Sequence, residues 1–208
     1  MDKQDLRIED GIVIGTASDK YTSKNPIARK LIEGFDRGVA SLASQVDPEK
    51  ITEVGCGEGH VTKILLENTR APILALDLSA TVIDEAREYV DSDRVEFEQC
   101  NIYDTSPERH QADLVVCCEV LEHLDDPRLG LEKLAALATS HVLLSVPREP
   151  IWRALNMARG AYLGSLGNTP GHFQHWSKRG FVAFIAPYFE ILDMRTPLPW
   201  TMLLARKK

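Results

Sequence analysis

The chain lacks most of the features that commit a sequence to a special class. No apolar run approaches the roughly 18 residues that a membrane span needs. The N-terminus, MDKQDLRIED, is charged rather than apolar, so no secretory signal is expected. Only 4 cysteines occur in 208 residues, and none is spaced Cys-x-x-Cys. A zinc ribbon is therefore not expected. Cys117 and Cys118 lie side by side in an apolar run, which suits buried free thiols. Basic residues are in the minority, 24 Lys+Arg against 31 Asp+Glu, for a net charge of −7. A general nucleic-acid binder would carry a basic footprint instead. Internal repeats and low-complexity tracts are missing too. What is present, 44% apolar and 26% charged residues, is ordinary for a globular chain. This length suits one domain with a core that needs no disulfide or structural metal. The expectation is a soluble, cytoplasmic protein.

Residues 1–24 are polar and aperiodic and read as an N-terminal extension. The domain proper then runs over 25–208. Asn25-Pro26 is a helix start, with Asn as cap and Pro at the first helical position. Ile27, Leu31, Phe35, Val39 and Leu42 follow along one helical face. From residue 50 the pattern alternates. Strands are expected at 51–55, 72–77, 95–99, 112–118 and 141–146. Helices are expected at 60–67, at 81–90 with Thr81 and Asp84 in capping-box spacing, and from Asp126-Pro127 to about 138. Such alternation means βαβ units on a parallel sheet, with ligands beyond the strands' carboxyl ends. A break over 148–176 precedes a helix begun at Ser177. Two closing strands at 190–194 and 200–204, joined by a short connection, are expected to pair antiparallel at the edge.

Glu53-Val-Gly55-Cys-Gly57-Glu-Gly59 follows a strand and precedes a helix. Glycines allow a tight turn and close approach of a ligand, and the helix beyond offers N–H groups. Asp77 ends the next strand, where a carboxylate can take both hydroxyls of a ribose. His60 stands where the dinucleotide fingerprint has its third glycine. This disfavours NAD-linked oxidoreduction and points to a nucleoside without pyrophosphate.

In these motifs (ITEVGCGEGH, ILALDLS, EQCNIYD and DLVVCCEVLEHLDDP) the chain resembles the class I S-adenosylmethionine (SAM)-dependent methyltransferases. Within them it resembles the ubiquinone-biosynthesis O-methyltransferase-like branch through EVLEH and a downstream His, and the small-RNA 3′-terminal 2′-O-methyltransferases through E-x-x-E-H and a later His before Trp-Ser. The resemblance implies an α/β, Rossmann-like three-layer sandwich whose seven-stranded, mostly parallel sheet has an antiparallel last strand. It implies that Glu53, Gly55, Cys56, Gly57 and Gly59 contact the methionine part of SAM, and that Asp77 binds its ribose. By the same resemblance Leu78 lies against the adenine and Asn101 and Ile102 border its edge. Cys118 and Glu119 line the space near the methyl group. Tyr21 belongs to an N-terminal lid closing over the cofactor.

Glu119, Glu122 and His123 sit at i, i+3 and i+4, one face if that segment is helical. His172 and His175 occur downstream in PGHFQHWSKRGF. Methyl transfer to oxygen needs a proton acceptor, which a histidine supplies. His123 and His172, with Glu122, are the expected catalytic residues. A divalent metal held by Glu119, Glu122, His123 and His172 would serve the same end and is not favoured. His60, His110 and His141 carry no expected role. By family analogy the 148–176 insert is the substrate cap. Its helix over 150–159 carries Trp152, Leu155 and Met157 with Arg153 and Arg159, Arg148 lies just before it, and Gly160, Gly164, Gly167 and Gly171 suggest a pliable lid. A peripheral membrane contact through 150–160 is one use of that helix.

The favoured reading is methyl transfer from SAM to a small-molecule acceptor, at a hydroxyl, with no nucleic acid involved. The alternatives are a metal-assisted RNA 2′-O-methyltransferase and a SAM-binding scaffold without turnover.

Overall fold

A computed structural model describes residues 25–208. Of the segment before them it describes only the backbone of a short antiparallel pair, Ile8–Glu9 with Ile12–Val13. Tyr21 and the expected lid lie outside the described residues.

Seven strands form one sheet: β1 (Ile51–Val54), β2 (Ile73–Asp77), β3 (Val95–Gln99), β4 (Ala112–Cys118), β5 (Ala138–Pro147), β6 (Phe189–Arg195) and β7 (Trp200–Lys207). Their order across the sheet is 3-2-1-4-5-7-6. β7 pairs antiparallel with both β5 and β6, and every other pairing is parallel. The strand order therefore reverses between β1 and β4. In an open sheet of this kind ligands bind outside the carboxyl ends at that point.

Helices α1 (Pro26–Ala43), α2 (His60–Asn68) and α3 (Ala80–Tyr89) cover one face. The short α4 (Pro107–His110), α5 (Pro127–Leu137) and α7 (Lys178–Ile185) lie on the other, and α6 (Ile151–Ala158) belongs to the insert. Alternation along β4 divides the core. Leu114, Val116 and Cys118 join Phe35, Val39 and Leu42 on the α1 side. Val115 and Cys117 join Leu131, Leu134 and Phe181 on the other. Each such fully buried apolar side chain contributes about 1.5–3 kcal/mol.

Local chemistry explains most boundaries. The Asn25 side chain accepts the Ile27 N–H at 2.9 Å with Pro26 at the first helical position. Asp126 accepts the N–H groups of Arg128 and Leu129 to open α5. The third helix differs from expectation. Its cap is Ser79, which accepts the Val82 N–H at 3.2 Å, so Thr81 lies inside the first turn instead. β5 starts three residues earlier than its apolar run, because α5 ends directly in Ala138, which pairs with Ala112.

Candidate active site

At the carboxyl end of β1 the chain turns sharply. The N–H groups of Gly55 and Cys56 both donate to the Leu76 carbonyl, at 2.7 and 2.9 Å. Gly55 has φ +79°, and a Cβ there would overlap Cγ2 of Val120, in the turn after β4. Only glycine fits that combination. Gly57, at φ +53°, borders open space: an added Cβ would meet nothing within 4 Å. Asp77 ties this turn to β2. Its Oδ2 accepts the Gly57 N–H at 2.9 Å and its Oδ1 the Ser79 N–H at 3.1 Å. Burial raises its pKa, against those two hydrogen bonds. Leu78, the next residue, is half-exposed at the strand end. The carboxylate, the open glycine and the exposed apolar side chain form a cradle at the carboxyl ends of β1 and β2, with group types that suit a nucleoside.

Asn101 and Ile102 follow β3. Ile102 is buried. The Asn101 Oδ1, expected to face an adenine, accepts the Tyr103 N–H at 3.0 Å and caps a short turn. Glu53 is 2% exposed, and its Oε2 accepts the Thr62 hydroxyl at 2.7 Å. Burial pushes its pKa to about 8, opposed by Thr62 and aided by the like charge of Asp77. Burial also drives the thiols of Cys56 and Cys118 up, so both stay protonated.

The Glu-x-x-Glu-His segment is not an α-helix. Glu119 has φ +61°, and only Leu121–His123 form a 3₁₀ turn. The left-handed residue swings Glu119 away from the other two. Its Oε1 accepts the Ser145 hydroxyl at 2.9 Å and its Oε2 the Trp200 indole N–H at 2.7 Å. Glu122, His123 and His172 do converge, with one candidate ligand atom from each lying within 4.8 Å of the others. The backbone makes this happen: the Glu122 carbonyl accepts the N–H groups of Phe173 and Gln174, at 2.8 and 3.1 Å. His123 Nδ1 lies 2.8 Å from the Gly171 carbonyl. A carbonyl only accepts, so Nδ1 carries the proton and Nε2 the lone pair.

An aromatic chain leads onward. The ring of His172 lies 4.8 Å from that of His123 and stacks on Trp152 at 5.7 Å. Trp152 meets Trp200 at 5.8 Å, and Trp200 meets Phe35 at 5.0 Å. Sequence patterns do not reveal this chain, because it joins α1, α6, β7 and the insert. Nor do they reveal the tie between α1 and α2, in which His60 Nε2 lies 2.7 Å from Asp36. Hydrogen bonds tie the helix of the insert to the loop that follows it. Trp152 and Asn156 both donate to the Thr169 hydroxyl, Asn156 also to the Gly167 carbonyl, and Arg153 to the Leu166 carbonyl. His175 faces Asn168, outside the cluster.

A second mixed cluster, Glu98, Cys100 and His110, lies beside β3. There His110 Nδ1 accepts the Ser106 N–H at 3.0 Å, which leaves Nε2 protonated toward Glu98. A neutral imidazole so fixed has no lone pair to offer a cation.

This strand order, with a glycine turn and an acidic residue flanking the switch point, is the one that the resemblance to class I SAM-dependent methyltransferases implies. Residues 52–143 match the family model described as a methyltransferase domain. The chain is 36% identical over 99 residues to an uncharacterised protein of Synechococcus sp., covering 45% of this chain and 24% of that one. It is 29% identical over 89 residues to the ubiquinone biosynthesis O-methyltransferase of Coxiella burnetii, covering 42% and 38%. The matched stretches thus span well under half the length of either relative. Among solved structures, the magnesium protoporphyrin IX methyltransferase of Synechocystis PCC 6803 with bound SAH superposes with a TM-score of 0.69 at 17% identity, covering 91% of this chain and 94% of that one. Among the described residues no helix is long and apolar enough to cross a membrane.

Proposed function

We propose that this chain transfers the methyl group of SAM to a hydroxyl of a small-molecule acceptor. The observation that carries the reading is the pairing of two sites at the reversal of strand order. The Gly57–Asp77 cradle follows β1 and β2, and the His123–His172 pair follows β4. When bound, the sulfonium of SAM supplies an electrophilic methyl and a neutral thioether leaving group.

The chain's own residues orient the partners and handle the proton. Asp77 is aligned by two backbone N–H groups to accept ribose hydroxyls. Leu78 offers an apolar surface to a base. His123, with its lone pair on Nε2, takes the acceptor's proton as the new carbon–oxygen bond forms. The Gly171 carbonyl then stabilises the resulting imidazolium through Nδ1. Trp152 and His172 wall the acceptor side and exclude water.

One observation favours a second reading. Glu122, His123 and His172 present a carboxylate and two imidazoles at ligand spacing, and His123 has the outer hydrogen bond that a ligating imidazole needs. A divalent cation there would lower the pKa of the acceptor hydroxyl, as in metal-assisted methylation of an RNA terminus.

Methyl-labelled SAM, incubated with the protein and a cell extract separated into small molecules, RNA and protein, tests both. Label in small molecules that is indifferent to chelator is the expected result. Metal-dependent label in RNA selects the second reading. SAM binding without label in any fraction overturns both in favour of a scaffold. Asp77→Ala is expected to abolish SAM binding in calorimetry.

A further inference from the structure

We propose that Thr169 is the positioning residue of the acceptor side, holding Trp152, His172 and His123 in register through one tight turn and one hydroxyl. The inference rests on the methyltransferase reading above and deepens it, naming what keeps the proton acceptor aimed.

Thr169, Pro170, Gly171 and His172 form that turn. The His172 N–H donates to the Thr169 carbonyl at 3.1 Å. Pro170 and Gly171 take the two central positions, and Gly171 has φ +83°. Proline first and a left-handed glycine second is the pattern of a type II turn. Three groups carried by this turn meet the acceptor side. The Thr169 hydroxyl accepts the Trp152 indole N–H at 2.9 Å and an Asn156 amide N–H at 3.1 Å. The Gly171 carbonyl lies 2.8 Å from Nδ1 of His123. The His172 ring stands between the other two rings, stacked on Trp152 with 29° between planes and edge-on to His123 at 85°.

The hydroxyl locks the turn to α6. Trp152 and Asn156 lie four residues apart, on one face of that helix. Thr169, Asn156 and His172 are all buried. A hydroxyl oxygen accepts two hydrogen bonds, and this one takes both from α6. A methyl group in its place would deprive both donors of that acceptor. Burying an unmatched donor costs more than a hydrogen bond contributes, so the turn and the helix would shift apart. The Gly171 carbonyl would then leave Nδ1 of His123. Which ring nitrogen carries the proton is set by the hydrogen bond that the other makes. A ring released from Gly171 also populates the form protonated on Nε2, which has no lone pair for an acceptor hydroxyl. Thr169 thus acts on the proton acceptor through the turn and touches neither substrate nor cofactor.

The test reads His123 directly and needs no known acceptor. The whole protein is labelled with ¹⁵N-histidine, and long-range ¹⁵N–¹H spectra at about pH 8, where imidazole is neutral, show which ring nitrogen is protonated. Signals missing from His123→Ala assign the residue. In the wild type, His123 is expected to be protonated on Nδ1 alone. In Thr169→Val, both forms are expected. Transfer of label from SAM into the small molecules of a cell extract is expected to fall about 10–100-fold there, with SAM affinity within about twofold. Thr169→Ser keeps the hydroxyl and is expected to restore both readouts. An unchanged His123 spectrum and unchanged transfer in Thr169→Val would overturn the role of Thr169 and leave the methyltransferase reading standing. Equal losses in Thr169→Ser and Thr169→Val would do the same. Should Thr169→Val also lose SAM binding, Trp152→Phe decides. It removes one donor, keeps a ring against His172, and is expected to move the same two readouts; unchanged values overturn the proposal. A wild type that labels no fraction would overturn the methyltransferase reading, and this inference with it.

Discussion

Trp200 donates its indole N–H to Oε2 of Glu119 at 2.7 Å, across 81 residues of sequence. The bond ties the end of β4 to the first residue of β7. Through Trp200 it supports the ring of Trp152, and through Trp152 that of His172. Glu119 thereby anchors the aromatic chain that leads to His172.

Trp200→Phe keeps an aromatic ring against Phe35 and removes the donor. A hydrogen bond to a charged group contributes about 1.5–3 kcal/mol, and a loss of that order is expected in the unfolding free energy from urea denaturation, with a lower midpoint. An unchanged midpoint would show that Glu119 gains nothing from the indole.

Gly55→Ala is expected to destabilise the fold by about 2 kcal/mol or more and to abolish SAM binding. It combines a positive φ with overlap of Val120. Adding Val120→Ala relieves the overlap and leaves the backbone strain. The double variant is expected to recover part of the stability, measured by urea unfolding. No recovery would place the whole effect in the backbone.

Glu53 makes stability fall as pH rises. Its carboxyl titrates at about 8 in the folded chain against an ordinary value of 4.5. The folded state therefore binds the proton more tightly. The favourable contribution is complete below the lower value and is lost as pH climbs through the upper one. Relative to Glu53→Gln, wild-type stability is expected to decline over that window by up to about 1.4 kcal/mol per pH unit. Urea unfolding at about pH 5 and about pH 8 checks the sign, and a rise would refute it.

His123→Ala is expected to lower turnover by about 10²–10⁴-fold with SAM affinity nearly unchanged, as removal of a proton acceptor does. The readouts are single-turnover rates with the acceptor and calorimetry with SAM. A loss confined to SAM affinity would move His123 out of the acceptor site.

Much of the fold was legible because its signals are local. Asn25-Pro26 and Asp126-Pro127 mark helix starts whatever lies around them. The unbroken apolar run 112–118 reads as a strand buried on both faces. The glycine turn and Asp77 identify one end of the sheet, since tight turns there need glycine. The Glu-x-x-Glu-His spacing misled for a physical reason. A helix would align its three acidic and basic groups, but the chain leaves β4 through a left-handed residue. Glu119 therefore points toward β5 and β7, while Glu122 and His123 face the insert. Ser79 rather than Thr81 caps α3, because the cap is chosen by where the chain leaves β2.

The sequence by itself determined the alternation of strands and helices, the glycine turn, the acidic strand end and the absence of an apolar span. Each depends on period, backbone freedom or side-chain type within a few residues. Tertiary structure decided which groups meet: Glu119 with Trp200, His123 with Gly171, Asp36 with His60, and Glu53 buried beside Asp77. Those meetings depend on strand order and on how the insert folds back. A pattern of local propensities is equally compatible with many such pairings, and packing selects one because buried polar groups must find partners where the chain brings them.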